Sequence, residues 1–219
     1  MQTIAGSEML VPIDQVLEEG GADSASVVPV SQAATVATIN KGTATTETPA
    51  KTKWSKTCFY IAPIGEENSE TRKHSDLFLN SIVEPALSES GLEVVRADMI
   101  GQAGMITSQI LEHVMRSRLA IVDLSWQNPN AFYEMAIRHA CKLPVIQICR
   151  KVDKLPFDVN QVRTVVIDTT DIYTLIPRIE TYRSEIAAQV RAVLSDPAVN
   201  SNPITVFFPG FEVTIPKES

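Results

Sequence analysis

Five short apolar runs of β character recur along the chain, and four amphipathic helical stretches lie between or after them. This constrains the fold more than any other feature. The runs are Thr57–Ala62, Leu92–Ala97, Leu119–Val122, Pro144–Ile148 and Thr164–Ile167. Apolar residues at helical spacing mark helices over Ser75–Ser90, Met105–Arg118, Asn130–Lys142 and about Asp171–Leu194, with Gly91 as a stop signal. Strands that alternate with helices require crossover connections. These place helices on both faces of a parallel sheet. The expectation is a flavodoxin- or Rossmann-like three-layer α/β sandwich with a mainly parallel sheet of about five strands.

The alternation starts abruptly. Residues 1–53 contain no Phe, Tyr or Trp, and Ala22–Lys53 is mostly Ala, Ser, Thr and Val without a sustained period. Such a stretch cannot bury enough surface to offset its ordering entropy. Residues 1–54 are therefore read as a weakly ordered arm. Within it Met9, Leu10, Ile13, Val16 and Leu17 approach helical spacing, which suits a segment that orders on a protein partner. Residues 55–200 form the α/β domain. In residues 201–219 the runs Ile204–Phe208 and Phe211–Ile215 flank Pro209–Gly210, the pattern of a β-hairpin that could extend the sheet or pair with a second copy.

Bulk properties exclude several function classes. A net charge of −7 disfavours nucleic acid as the main partner, because phosphate binding needs clustered Lys and Arg. It equally disfavours an acidic membrane surface. No apolar run reaches the roughly 18 residues that span a bilayer, and no signal-peptide pattern is evident, so a cytoplasmic location is expected. The 3 cysteines show no C-x-x-C spacing, which points to buried thiols rather than a disulfide framework or a metal site. The glycine-rich fingerprints of dinucleotide-binding and P-loop proteins are absent. The three histidines have no ligand spacing and read as structural or solvated.

Ligands of open parallel sheets bind beyond the carboxyl ends of the strands. The candidates are therefore the polar residues and turns there. They are Gly65 and Arg72 after the first strand, Arg96, Asp98 and Gly104 after the second, and Asp123, Asn128, Asn130 and Glu134 after the third. Phe157 and Asp158 follow the fourth. Such a rim suits a nucleoside or nucleotide rather than a lipid. Structural roles compete at each position. Asn128 before Pro129 makes a good helix cap. Arg96 could pair with Asp98, and Glu134 with Arg138 one turn on.

Several of these pieces form a pattern. Tyr60–Gly65 with Arg72 and Ser75–Asp76, Arg96–Asp98, Gly104–Thr107, Ile121–Leu124, Asn128-Pro-Asn-Ala-Phe-Tyr-Glu134 with Arg138–Ala140, and Pro156–Asp158 with Arg163 together resemble the bacterial nucleoside 2-deoxyribosyltransferase-like proteins, relatives of the Toll/interleukin-1 receptor (TIR) domain. The resemblance spans about residues 57–168. It implies N-glycosidic chemistry on a nucleoside, a nucleotide or an NAD-like substrate, without a resident cofactor or metal. Glu134 matches the glutamate that attacks or stabilises the anomeric carbon. Asp123 or Asp98 would protonate the leaving base or grip the ribose, Asn128 and Asn130 would orient the sugar, and Arg72 and Arg96 would hold a phosphate. Two other functions stay open at this point, a non-catalytic nucleotide sensor and a TIR-like self-associating scaffold, with a defence setting by analogy.

Overall fold

The computed structural model describes residues 53–101, 105–196, 199 and 201–215. The segment expected as a weakly ordered arm, with its helical stretch at 9–17, lies outside these residues except for Lys53 and Trp54. Those two belong to the domain. Trp54 opens a 3-10 turn, Trp54–Lys56, its ring meets His113 edge-on at 5.0 Å, and its carbonyl accepts from the Arg118 N–H at 3.0 Å.

Five strands form one sheet: β1 Thr57–Ile61, β2 Glu93–Arg96, β3 Leu119–Asp123, β4 Val145–Arg150 and β5 Thr164–Ile167. Their order is β2-β1-β3-β4-β5 and every neighbouring pair is parallel. This is the flavodoxin-like arrangement, in which the direction of strand addition reverses and the crevice between β1 and β3 is the switch point.

The helices are α1 Glu70–Phe78, α2 Glu84–Leu87, α3 Ile106–Arg116, α4 Pro129–Ala140, α5 Ile172–Leu175, α6 Ile179–Ser195 and α7 Pro203–Phe207. Helix α1 starts earlier than its apolar stripe suggests, because the Ser69 hydroxyl accepts from the Arg72 N–H and caps it. A wider π-helical turn, Leu79–Val83, joins α1 to α2 just before Pro85. A proline ring obstructs regular helix hydrogen bonding, and a local π turn absorbs the mismatch. Gly91 ends this stretch with φ +69°.

Side chains along a strand alternate between the two faces of the sheet. Cys58 and Tyr60, Leu119 and Ile121, Ile146 and Ile148, and Val165 and Ile167 lie in one core, with Phe78, Ile82, Tyr182 and Ile186 from the α1–α2 and α6 side. Phe59 and Ile61, Ala120 and Val122, Val145 and Cys149 lie in the other, with Val114 of α3 and Ala131 and Met135 of α4. Right-handed crossovers give this partition: the β1-to-β2 step runs opposite to the steps from β2 through β4, so its helices cover the opposite face. The sheet is thus buried on both sides, as an all-parallel sheet must be. Burial pushes the Cys58 thiol up to about 12 and the Cys149 thiol up to about 11, so these thiols pack as apolar groups.

The expected C-terminal hairpin is not there. Residues 203–207 are helix α7, and residues 211–215 pair with no strand. The local reason is a cap. Asn202 Oδ1 accepts from the Ile204 and Thr205 N–H groups, the Thr205 hydroxyl returns a bond to the Asn202 backbone, and Pro203 occupies the first helical position. Capping chemistry overrides the β propensity of Ile204, Val206, Phe207 and Phe208.

Candidate functional site

The reversal of strand order between β1 and β3 opens a crevice at their carboxyl ends, and a cleft of about 260 Å³ lies there. Its wall includes Ile64 and Gly65 of the loop after β1, Ala97 after β2, Ile110 of α3, and Asn128, Asn130 and Glu134 at the start of α4. Gly65 has φ +69°, and a Cβ there would stand 2.7 Å from Ser69 Oγ and 2.8 Å from Thr71 Cβ. Only glycine fits this turn, which carries the chain from β1 over the cleft to the α1 cap.

Asn128 does two things. It caps α4, with Oδ1 accepting from the Asn130 and Ala131 N–H groups at 3.0 and 3.2 Å, and it lines the cleft. Pro129 follows at the first helical position. The cap fixes the entry angle of α4 and hence the placement of Glu134 one turn later. Glu134 is the sole charged side chain among the described lining residues. Burial pushes its carboxyl up to about 7.

The expected partner of Glu134 is elsewhere. Arg138 is fully buried and points away, donating from Nη1 to the Val114 and Ser117 carbonyls, both at 2.9 Å, and from Nη2 to the Pro144 carbonyl at 2.6 Å. It ties the C-terminal end of α3 to the turn before β4, so the surface ion pair with Glu134 does not form.

Asp123 is also elsewhere. It shares the parity of Leu119 and Ile121 and so lies on the α1 face, whereas α4 with Glu134 covers the other face. Asp123 is fully buried. Its Oδ1 accepts from the Ser125 N–H at 3.0 Å and the Ser125 hydroxyl at 2.5 Å, and its Oδ2 pairs with His74 Nε2 at 2.8 Å and accepts from the Tyr60 hydroxyl at 3.4 Å. It does not line the Glu134 cleft.

Arg72 and Arg96 are committed as well. Arg96 is buried and grips Asp98 with two nitrogens, at 2.6 and 2.9 Å, while reaching Asp76 at 2.6 Å and Ser75 Oγ at 2.9 Å. Arg72 pairs with Asp76 at 3.1 Å and Asp98 at 2.8 Å. Burial alone would raise the Asp76 and Asp98 carboxyls. Hydrogen bonds from arginine, with the charges of both guanidiniums, outweigh it and hold both carboxyls below their ordinary value. Two cations and two anions form a closed, neutral network that locks α1 to the end of β2. Neither arginine is placed to hold a phosphate in the cleft.

Phe157 and Asp158 are exposed in the turn after β4 and are not among the lining residues of the Glu134 cleft. Gly104 lies outside the described residues. Of the sequence candidates, the fold therefore gathers Gly65, Asn128, Asn130 and Glu134 into one cleft, and places Asp123, Arg72, Arg96 and Asp98 in buried or paired structural roles. Among the described residues no three His, Cys, Asp or Glu side chains converge to hold a metal ion, and no helix is long and apolar enough to cross a membrane.

Sequence reasoning passed over His74, Trp126 and Arg150. They meet on the α1 face, at the carboxyl ends of β3 and β4. The Arg150 guanidinium lies 3.7 Å from the Trp126 ring centroid, and His74 meets that ring edge-on at 4.6 Å. The parity of Arg150 with Ile146 and Ile148, taken with the strand order, is the one signal that would have placed it there.

No family model and no curated protein matches the chain. Among solved structures it is similar to the lysine decarboxylase LdcF of Francisella novicida, at 14% identity and a TM-score of 0.39, over 65% of this chain and 18% of that one. It is also similar to the constitutive lysine decarboxylase of E. coli, at 12% identity and a TM-score of 0.37, over 64% of this chain and 18% of that one. The chain thus spans less than a fifth of either enzyme.

Proposed function

We propose that the protein cleaves or transfers the N-glycosidic bond of a nucleoside-type compound in the Glu134 cleft. One observation carries this reading. A lone glutamate, with its carboxyl pushed up to about 7, lines a cleft at the β1/β3 reversal whose described wall bears no cation. Departure of a base from a ribosyl carbon builds positive charge on the sugar. A carboxylate without a competing cation can stabilise that charge or trap the carbon as a covalent ester. Asn128 and Asn130 line the cleft with Glu134 and supply side-chain amides suited to sugar hydroxyls. The engagement of Arg72 and Arg96 by carboxylates supports a sugar–base ligand over one anchored by its phosphate.

A second reading is favoured by a different observation. Asp123 lies on the opposite face of the sheet, so among the described lining residues the cleft holds one carboxylate and offers the base no second acid. A binding module that senses such a ligand without turnover fits that arrangement.

One experiment separates the two. Wild type and Glu134→Gln are incubated with nucleosides, 2′-deoxynucleosides, their monophosphates and NAD, and free bases are resolved by chromatography with mass detection. Catalysis predicts base release by wild type alone. Binding without release, equal in both proteins, would leave the sensing module and overturn the catalytic reading.

A further inference from the structure

The sheet carries a second cleft at its carboxyl edge, on the face opposite Glu134. It is larger, about 350 Å³, and lies between α1 and α5 with the ends of β4 and β5 as its base. Leu77, Ile172 and Leu175 form apolar walls, and His74, Trp126 and Arg150 supply an aromatic and polar floor.

The floor is built with some care over proton positions. The buried Asp123 oxygens accept from Ser125 and Tyr60, and in the tautomer that also donates to Asp123 the His74 ring carries its hydrogen on Nε2, 2.8 Å away. In the neutral ring Nδ1 is then an acceptor, and it has no partner among the described residues. The ring cannot swing, because Phe78 lies 3.8 Å from its centroid and Trp126 meets it edge-on. Arg150 is fixed in the same way. Its Nε and Nη2 donate to the two oxygens of Asp153 at 2.8 and 3.0 Å, its plane lies over Trp126, and Nη1 has no partner among the described residues. Trp126 itself stands at φ +56°, a left-handed conformation that costs a non-glycine residue energy, held by its N–H on Asp153 Oδ2 at 3.1 Å.

With the His74 ring neutral, a held acceptor and a held donor thus share one cleft with Leu77, Ile172 and Leu175, and Glu70, Lys73 and Asp171 also line it. We infer that this cleft binds a planar N-heterocycle through its lactam edge, the ring N–H donating to His74 Nδ1 and the adjacent carbonyl accepting from Arg150 Nη1, with Leu77, Ile172 and Leu175 packed on the ring. The amide edge of uracil or hypoxanthine has this chemistry. The inference stands on its own residues and does not depend on what the Glu134 cleft does.

The test uses the full chain in a Trp54→Phe background, which leaves Trp126 as the sole indole. Uracil and hypoxanthine are titrated while Trp126 fluorescence is followed, with 1,3-dimethyluracil as a probe that keeps the ring and carbonyls but lacks the N–H. The expected result is a saturable change with the two lactams and none with the dimethyl analogue. His74→Phe should abolish it. Because that change removes a partner of buried Asp123, Ile172→Glu is the second variant. Ile172 is 60% exposed, so the fold tolerates a charge there, and the apparent Kd should rise about tenfold or more as the wall loses its apolar character. Glu134→Gln should leave the titration unchanged. No saturable change, equal response to the dimethyl analogue, an unaltered Kd in Ile172→Glu, or loss of binding in Glu134→Gln would each overturn the inference. The last of these would move the ligand to the first cleft.

Discussion

Replacing Glu134 with glutamine should stabilise the protein above neutral pH and leave its stability unchanged in acid. The carboxyl is raised from its ordinary 4.5 to about 7 by burial, with no cation among the described lining residues to offset it. Between those two values the folded protein holds a proton that the unfolded chain has released. Stability therefore falls as pH rises from about 4.5 and levels off above about 7. A displacement of that size corresponds to a ceiling of about 3 kcal/mol. The cleft is open and water reaches the carboxylate, so about 1–2 kcal/mol is the expected cost of keeping it ionised. Glutamine has the shape of the protonated acid and never ionises, so the variant recovers this amount. Urea unfolding of both proteins at pH 4.5, 6, 7 and 8.5, followed by circular dichroism, measures it. Other carboxylates titrate in both proteins and cancel in the difference. The variant should match wild type at pH 4.5 and exceed it by about 1–2 kcal/mol at pH 8.5. Parallel stability curves across the range, or a variant weaker at high pH, would refute the claim that Glu134 is half-buried with no compensating cation among the described residues.

Three further outcomes follow from particular contacts. Gly65→Ala places a Cβ within 3 Å of Ser69 and Thr71 at a positive φ, and should cost about 1–3 kcal/mol in urea unfolding while weakening any ligand of the Glu134 cleft. Arg138→Met keeps the bulk but strips hydrogen bonds from the buried Val114, Ser117 and Pro144 carbonyls. A loss of about 3 kcal/mol or more is expected, and unchanged thermal unfolding would contradict it. Asn202→Ala removes the side-chain half of the α7 cap, the acceptor for the Ile204 and Thr205 N–H groups, and should cost about 1 kcal/mol, read as faster amide exchange confined to residues 204–207.

The five strands and their helices could be read from the chain because both features are local. A run such as Leu119–Val122 is apolar throughout and short, and α3 carries its apolar residues at a helical period. Neither depends on what lies across the sheet. The cap at Asn128–Pro129 and the stop at Gly91 are local in the same sense. Local pattern also misled where two local rules conflict. Residues 204–208 have β-rich side chains, yet Asn202, Pro203 and Thr205 start a helix, and four backbone and side-chain hydrogen bonds decide the outcome.

The site was legible only in part. Glu134, Asn128, Asn130 and Gly65 come together because each sits on β1, β3 or the segment after it, and these strands are neighbours. Asp123 was expected beside Glu134, since eleven positions of sequence separate them on one strand–loop–helix unit. The side-chain parity of β3 and the handedness of the crossovers put them on opposite faces of a sheet instead. The two arginines read as phosphate ligands became the centre of a four-charge network, because β2 lies beside β1 and brings Arg96 and Asp98 to α1. What the amino-acid sequence by itself determined was the kind and order of the elements, through propensity, period and capping within a dozen residues. Strand order, the face each side chain takes and the partner each charge finds were decided by tertiary structure alone, because they depend on which distant segments share an edge of the sheet.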